Sequence, residues 1–272
     1  MFTHKIPQPL SLLTLLTISL AQINYCSCIN AKSLNFSVAS AFFPGVATFY
    51  AGPNEHDGGS GGACGFEDDG LVAPYNGLTA AGNNDLFKSG AGCGTCYQVK
   101  CTENVECSGY PVPITITNEC PGACNDQHFH FDLSYKAFRL LAKRGQGFAL
   151  QKHGIINIQY RRVQCSYRWT PIVFRIAKGS IRGQYLAFAS EFVNGDGNVG
   201  AVELIVSKNN VVLPMTISYG ATWATGFSIP DTSVGPYSVR LTTIESGRTI
   251  LATNVIPADW APGQEYRSSV NF

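Results

Sequence analysis

Three stretches of the first half carry the side chains most able to do chemistry: Thr48-Phe-Tyr50, His128-Phe-His-Phe-Asp132, and the cysteine cluster Cys93-Gly-Thr-Cys96, Cys101 and Cys107. The alternation before Asp132 reads as a strand that delivers this carboxylate to the start of a helix. There the helix dipole favours the ionised form, which works against the raised pKa a general acid needs. A simple helix cap is the competing reading for Asp132. His128 and His130 alternate with phenylalanines, which favours packing over ligation or catalysis. Thr48 and Tyr50 read equally well as ordinary strand residues. The cysteine spacing would suit zinc in a cytosolic protein and disulfides in an oxidising compartment.

The elements that must position these residues are mostly strands. From Gly45 to Gly94 the chain is rich in glycine, including Gly58-Gly-Ser-Gly-Gly62, which implies tight turns and close backbone approach. Pro113–Asn118 and Ile155–Tyr160 alternate at period two. Between them lies one helix signal, with Ser134 as cap, Leu133, Ala137, Phe138 and Leu141 on one face, and Lys143-Arg-Gly145 as its end. After Cys165 the pattern becomes short strands alone. They are Ile172–Ile176, Tyr185–Phe192, Val202–Val206, Met215–Tyr219, Tyr237–Thr242 and Thr249–Thr253, separated by turns such as Asn194-Gly-Asp-Gly197 and Glu245-Ser-Gly247. This predicts a compact β-barrel followed by a small antiparallel β-sandwich.

Cysteine usage agrees with two modules. All ten cysteines lie between Cys26 and Cys165, so the first module is disulfide-stapled and the second relies on an ordinary apolar core. His4, Lys5 and the apolar run Leu10–Ala21 read as a secretory signal covering residues 1–27, with cleavage between 21 and 28. The run is shorter than the roughly 20 residues a membrane span needs. Secretion makes disulfides the reading of the eight cysteines from Cys64 onward, although spacing alone leaves 105 connectivities open. Asn35-Phe-Ser37 is an N-glycosylation sequon. The net charge of +1, with 14% charged residues, gives no basic footprint for nucleic acid. It suits a neutral, hydroxyl-rich partner.

The motifs Gly62-Ala-Cys-Gly65, Gly92-Cys-Gly-Thr-Cys-Tyr97, His130-Phe-Asp-Leu-Ser134 and Val255-Ile-Pro-Ala-Asp-Trp260 together resemble a plant expansin of the β class. The resemblance covers nearly the whole mature chain. It implies a six-stranded double-psi β-barrel related to family-45 endoglucanases over residues 45–168. An immunoglobulin-like sandwich of the expansin cellulose-binding type follows over residues 171–272. It further implies the pairs Cys64–Cys93, Cys96–Cys165 and Cys101–Cys107, which leave Cys120 and Cys124 for a fourth small loop. Thr48 and Tyr50 then sit beside Asp132 in a groove. Tyr185 and Trp223 match positions of a flat, exposed platform for sugar rings. Core packing is the plainer reading of both, and Trp260 is read as structural. Tyr219 stands where the family usually has tryptophan and is not counted as a contact.

An inverting glycosidase needs a protonated acid and a carboxylate base about 6.5–9.5 Å apart. The resemblance places Asp132 at the acid position and Gly52 at the base position. Asp57 is the candidate substitute, and a turn residue otherwise. Asn118 stands where the family commonly has aspartate, which removes a negative charge near the groove. The expected function is that of a secreted, extracellular cell-wall protein. It would bind cellulose, xylan or other matrix glucans and loosen their non-covalent contacts without hydrolysis. It is expected to act as a monomer, with no cofactor, metal, nucleic acid or membrane span. The alternatives are a weak endoglucanase using Asp132 and Asp57, and a non-catalytic carbohydrate-binding or defence module.

Overall fold

The computed structural model describes residues 41–50, 62–66, 70, 72–226 and 235–272. The segments carrying the signal, Asn35, Gly52 and Asp57 lie outside them. Six strands close a barrel: β1 (Phe43–Tyr50), β2 (Thr79–Gly82), β3 (Cys96–Lys100), β4 (Val112–Glu119), β5 (His130–Ser134) and β6 (Ile156–Val163), in the spatial order β1-β5-β2-β4-β3-β6. The pairs β1/β5 and β2/β4 are parallel and the rest antiparallel. Alternation along the strands sends Ala47, Phe131, Leu133, Ile114, Ile116, Ile156 and Ile158 inward. The intervening positions Thr48, Tyr50 and Asp132 are left at the surface, half-buried.

Among the described residues three short α-helices accompany the barrel, where sequence patterning predicts one: α1 (Asn84–Phe87), α2 (Tyr135–Leu140) and α3 (Gly147–Gln151). The helices α1 and α3 span four and five residues, too short to show a 3.6-residue period. For α2, Ser134 is the N-cap, and its Oγ accepts from the Ala137 amide. Leu133, Ala137, Phe138 and Leu141 are fully buried on its inner face.

The second half is two packed antiparallel sheets. One has the order β10-β9-β13-β14, from Val211–Pro214, Val199–Val206, Tyr237–Thr243 and Thr249–Ile256. The other has the order β11-β12-β8-β7-β15, from Thr216–Tyr219, Thr222–Ala224, Ala187–Glu191, Val173–Ile176 and Glu265–Arg267. Phe174, Phe188, Leu204, Val239, Leu241, Ile256 and Trp260 fill the space between them. Each such side chain contributes about 1.5–3 kcal/mol by leaving water.

Among the described residues four disulfides join Cys64 to Cys93, Cys96 to Cys165, Cys101 to Cys107 and Cys120 to Cys124. The first two lie in a third apolar cluster, where barrel and sandwich meet. Phe66, Tyr75 and Phe87 there pack with Tyr167, Val173, Ala189 and Phe192. The seam is also bonded through backbone. Cys165 and Gly195 exchange two hydrogen bonds, and the Ala221 amide donates to the Cys64 carbonyl. Gly94 and Gly197, both at positive φ, approach so closely that a Cβ on either would strike the other's carbonyl oxygen.

Candidate functional site

The barrel site begins with the register of β1 on β5, which sets Thr48 opposite Asp132 and Val46 opposite His130. Thr48 Oγ1 donates to Asp132 Oδ1 at 2.6 Å and lies 2.9 Å from His130 Nε2. With the threonine proton committed to Asp132, the imidazole must donate through Nε2, so a short chain runs from His130 through Thr48 to Asp132. His130 is buried, and its Nδ1 has no hydrogen-bond partner among the described residues. Burial accordingly lowers the His130 pKa, with the nearby Asp132 opposing it. Tyr50 continues the same face, its hydroxyl 3.1 Å from Thr79 Oγ1.

Burial raises the Asp132 pKa above the usual carboxylate range, against the Thr48 hydrogen bond and the His130 charge, which lower it. This corrects the expectation that a helix terminus holds Asp132 ionised. Ser134 does the capping, and Asp132 sits two residues earlier on the strand, where desolvation dominates.

Ala81 on β2 lies between two residues of this face. It pairs with Asp132 on one side and Asn118 on the other. Two inter-strand steps separate those residues, about 10 Å between backbones. Asn118 is committed to structure, since its Oδ1 accepts from the amides of Ala63, at 2.6 Å, and Glu119, at 2.8 Å. The amide therefore secures the end of the glycine-rich segment at Gly62-Ala63. It carries no charge to activate a water.

His128 departs from its reading as a packing residue. Its side chain is 94% exposed and pairs with Asp85 at 3.0 Å. The strand begins only at His130, so the alternation does not extend back to it.

The proposed platform needs a second correction. Trp223 is only 6% exposed and belongs to the sandwich core, because it pairs with the inward Phe188 across β12 and β8. Its neighbour Thr222 takes the outer face, opposite Tyr219. A bulge in β11 between Ile217 and Tyr219 breaks the alternation. Tyr219, 51% exposed, lines a cavity of about 310 Å³ together with Tyr185, Arg175, Lys178, Thr222 and the barrel residue Gly65. The aromatic pair on this face is thus Tyr185 and Tyr219. Sequence reading set Tyr219 aside because it stands where the family usually has tryptophan, and no local pattern shows the bulge beside it. It also passed over Trp169, fully exposed on the connection between barrel and sandwich.

Comparison with known proteins agrees with this architecture. A crystal structure of an expansin from Clavibacter michiganensis superposes with a TM-score of 0.63 at 24% identity, covering 85% of this chain and 98% of that one. A mutant of a Clavibacter michiganensis expansin in complex with cellohexaose gives the same TM-score at 23% identity. The fold is therefore that of a two-module expansin. The family model described as "Lytic transglycolase" matches residues 79–160, and that of the "Expansin C-terminal domain" matches residues 172–257. Expansin-B4 of Arabidopsis thaliana is 41% identical over 259 residues, 95% of this chain and 96% of that protein. Expansin-B11 of Oryza sativa subsp. japonica is 41% identical over 88% of this chain and 81% of its own length. The major pollen allergen Cyn d 1 of Cynodon dactylon is likewise 41% identical, over 88% and 96%. The chain belongs to the expansin family, in its plant B class.

Proposed function

We propose that this chain is a secreted wall-loosening protein that binds cellulose and matrix glycans and displaces their non-covalent contacts without cutting them. One observation carries the reading. Asp132 is held and desolvated as the acid half of a glycosidase would be, while the residue across Ala81 is the amide Asn118, already bonded to Ala63. By the family resemblance the base position is Gly52, and the neighbour across Ala81 is an uncharged amide. A general acid so placed hydrogen-bonds a glycan oxygen but lacks a carboxylate there to direct water at the anomeric carbon. In its protonated form Asp132 donates one hydrogen bond to a sugar hydroxyl, competing with the inter-chain bonds of a polysaccharide. Thr48 and His130 hold the carboxyl in place. Tyr185 and Tyr219 offer apolar faces to sugar rings, and Gly65 places barrel backbone in the same cavity.

The retained acid also motivates a hydrolytic reading with Asp57 as base. The two are separated by measuring reducing ends and mechanical extension of isolated walls on one sample. Extension without new reducing ends supports the proposal. Reducing ends that vanish in Asp57→Asn support the hydrolase. Absence of both leaves only a binding module.

A further inference from the structure

From Leu133 to Ser190 the chain contains no aspartate or glutamate, yet it carries eleven of the 19 lysines and arginines. In a protein of net charge +1 this is a local excess that overall composition conceals. The fold gathers four of the eleven into one place. Lys136, Arg139, Lys143 and Arg144 line an open basin of about 570 Å³ along α2 and the turn that follows it, with Tyr135 and Leu140 between them.

The cationic groups are held but not neutralised. The Lys136 ammonium donates to the Asn76 carbonyl and that of Lys143 to the Val105 carbonyl, leaving each with further protons to donate. Arg139 donates to the Tyr135 hydroxyl and lies over its ring, 5.1 Å from the centroid. Among the described residues none of the four forms an ion pair. A run of solvated charges alone would leave these heads unanchored. Here backbone carbonyls and a tyrosine fix three of them around a common space. A half-buried aromatic ring and Leu140, 49% exposed, supply an apolar wall. Cations beside an aromatic face suit a ligand that is both anionic and ring-shaped, with C–H faces to stack and carboxylates to pair.

We infer that this basin is a second glycan site, taking the uronic-acid residues of an acidic polysaccharide. The inference rests on the wall-binding reading but uses residues separate from Thr48, Asp132, Tyr185 and Tyr219. One protein would then hold neutral and acidic polymers at different faces.

The test is affinity electrophoresis and calorimetry of the full chain with polygalacturonate at low and high salt. Polyglutamate is the non-carbohydrate anion and insoluble cellulose the neutral control. The triple variant Lys136→Gln/Lys143→Gln/Arg144→Gln is compared with Arg168→Gln/Lys208→Gln/Arg267→Gln, which removes the same charge from exposed positions elsewhere. The basin variant is expected to bind polygalacturonate about ten-fold more weakly and with a shallower salt dependence, with cellulose retention unchanged. The control variant is expected to bind as wild type. Equal loss in both variants would reduce the effect to net charge and overturn the site. Equal binding of polyglutamate would overturn the uronate assignment. Failure of wild type to bind cellulose, with polygalacturonate binding intact, would count against the wall-loosening reading and leave the basin standing.

Discussion

Thr48 and Asp132 face each other across a parallel strand pair, and the 2.6 Å bond between them is the contact that holds a half-buried carboxyl in a fixed direction. Thr48→Val should let the Asp132 pKa rise further, since burial then acts without the hydrogen bond that opposes it. A carboxyl with a raised folded-state pKa favours the fold below its unfolded-state pKa and loses that contribution as pH rises through the folded value. The cost of the variant should therefore be small in acid and about 1–2 kcal/mol at neutral pH. Carbon-detected titration of the carboxyl and thermal unfolding across pH would measure both, and a pH-independent loss would contradict the account.

Asn118→Asp restores a charge two strands from Asp132. Like charges disfavour joint ionisation, so the Asp132 titration should move upward again. The new carboxylate must also replace the amide oxygen as acceptor for Ala63, so the fold should tolerate it. A trace of reducing-end release that requires both aspartates would show that hydrolysis was limited by the lack of a carboxylate at position 118. An unmoved titration would place the two residues on different faces.

Trp223 and Tyr219 should respond in opposite ways. Trp223→Ala leaves a large void in the sandwich core and should cost about 3–5 kcal/mol of stability. Tyr219→Ala and Tyr185→Ala should lower retention on cellulose with little change in Tm. A stable Trp223→Ala protein that no longer binds would restore the tryptophan to the platform.

The disulfides should matter by loop length. The Cys96–Cys165 bridge separates residues 69 apart in sequence, and chain-entropy arguments assign it about 4 kcal/mol. Replacing both by alanine should lower the unfolding free energy by that order. A fragment from Ile172 to Phe272 should still fold cooperatively under reducing conditions, since it contains no cysteine. Its Tm should fall below that of the whole chain, because Val173, Ala189 and Phe192 lose the cover of Phe66 and Tyr75.

Much of this was legible before any coordinates. Period-two alternation marked β4 and β6, and the short apolar runs between turn signals marked β7, β8, β9, β11, β13 and β14 within a few residues. Strands β2 and β12 went unread, being four and three residues long and buried throughout, so they show no alternation. The groove trio emerged only partly. Asp132 stood out as a carboxylate near a helix start, but its bond to Thr48 depends on register across 84 residues, which no local pattern encodes. Trp223 misled for a related reason. In a three-residue strand buried on both faces, composition gives no sign that the tryptophan turns into the core beside Phe188.

The seam described above has a mechanical meaning. Barrel and sandwich meet through apposed backbone at Gly94 and Gly197, paired bonds at Cys165 and Gly195, and an apolar cluster crossed by two disulfides. Among the described residues that joint is packed and backbone-bonded, so under the wall-loosening reading the interval between Asp132 and the Tyr185–Tyr219 face is a gauge set by the seam rather than a tether. A polymer seated at both must conform to that gauge, and any misfit is borne by the polymer. The protein would then act as a rigid former, bending its ligand while remaining unbent itself.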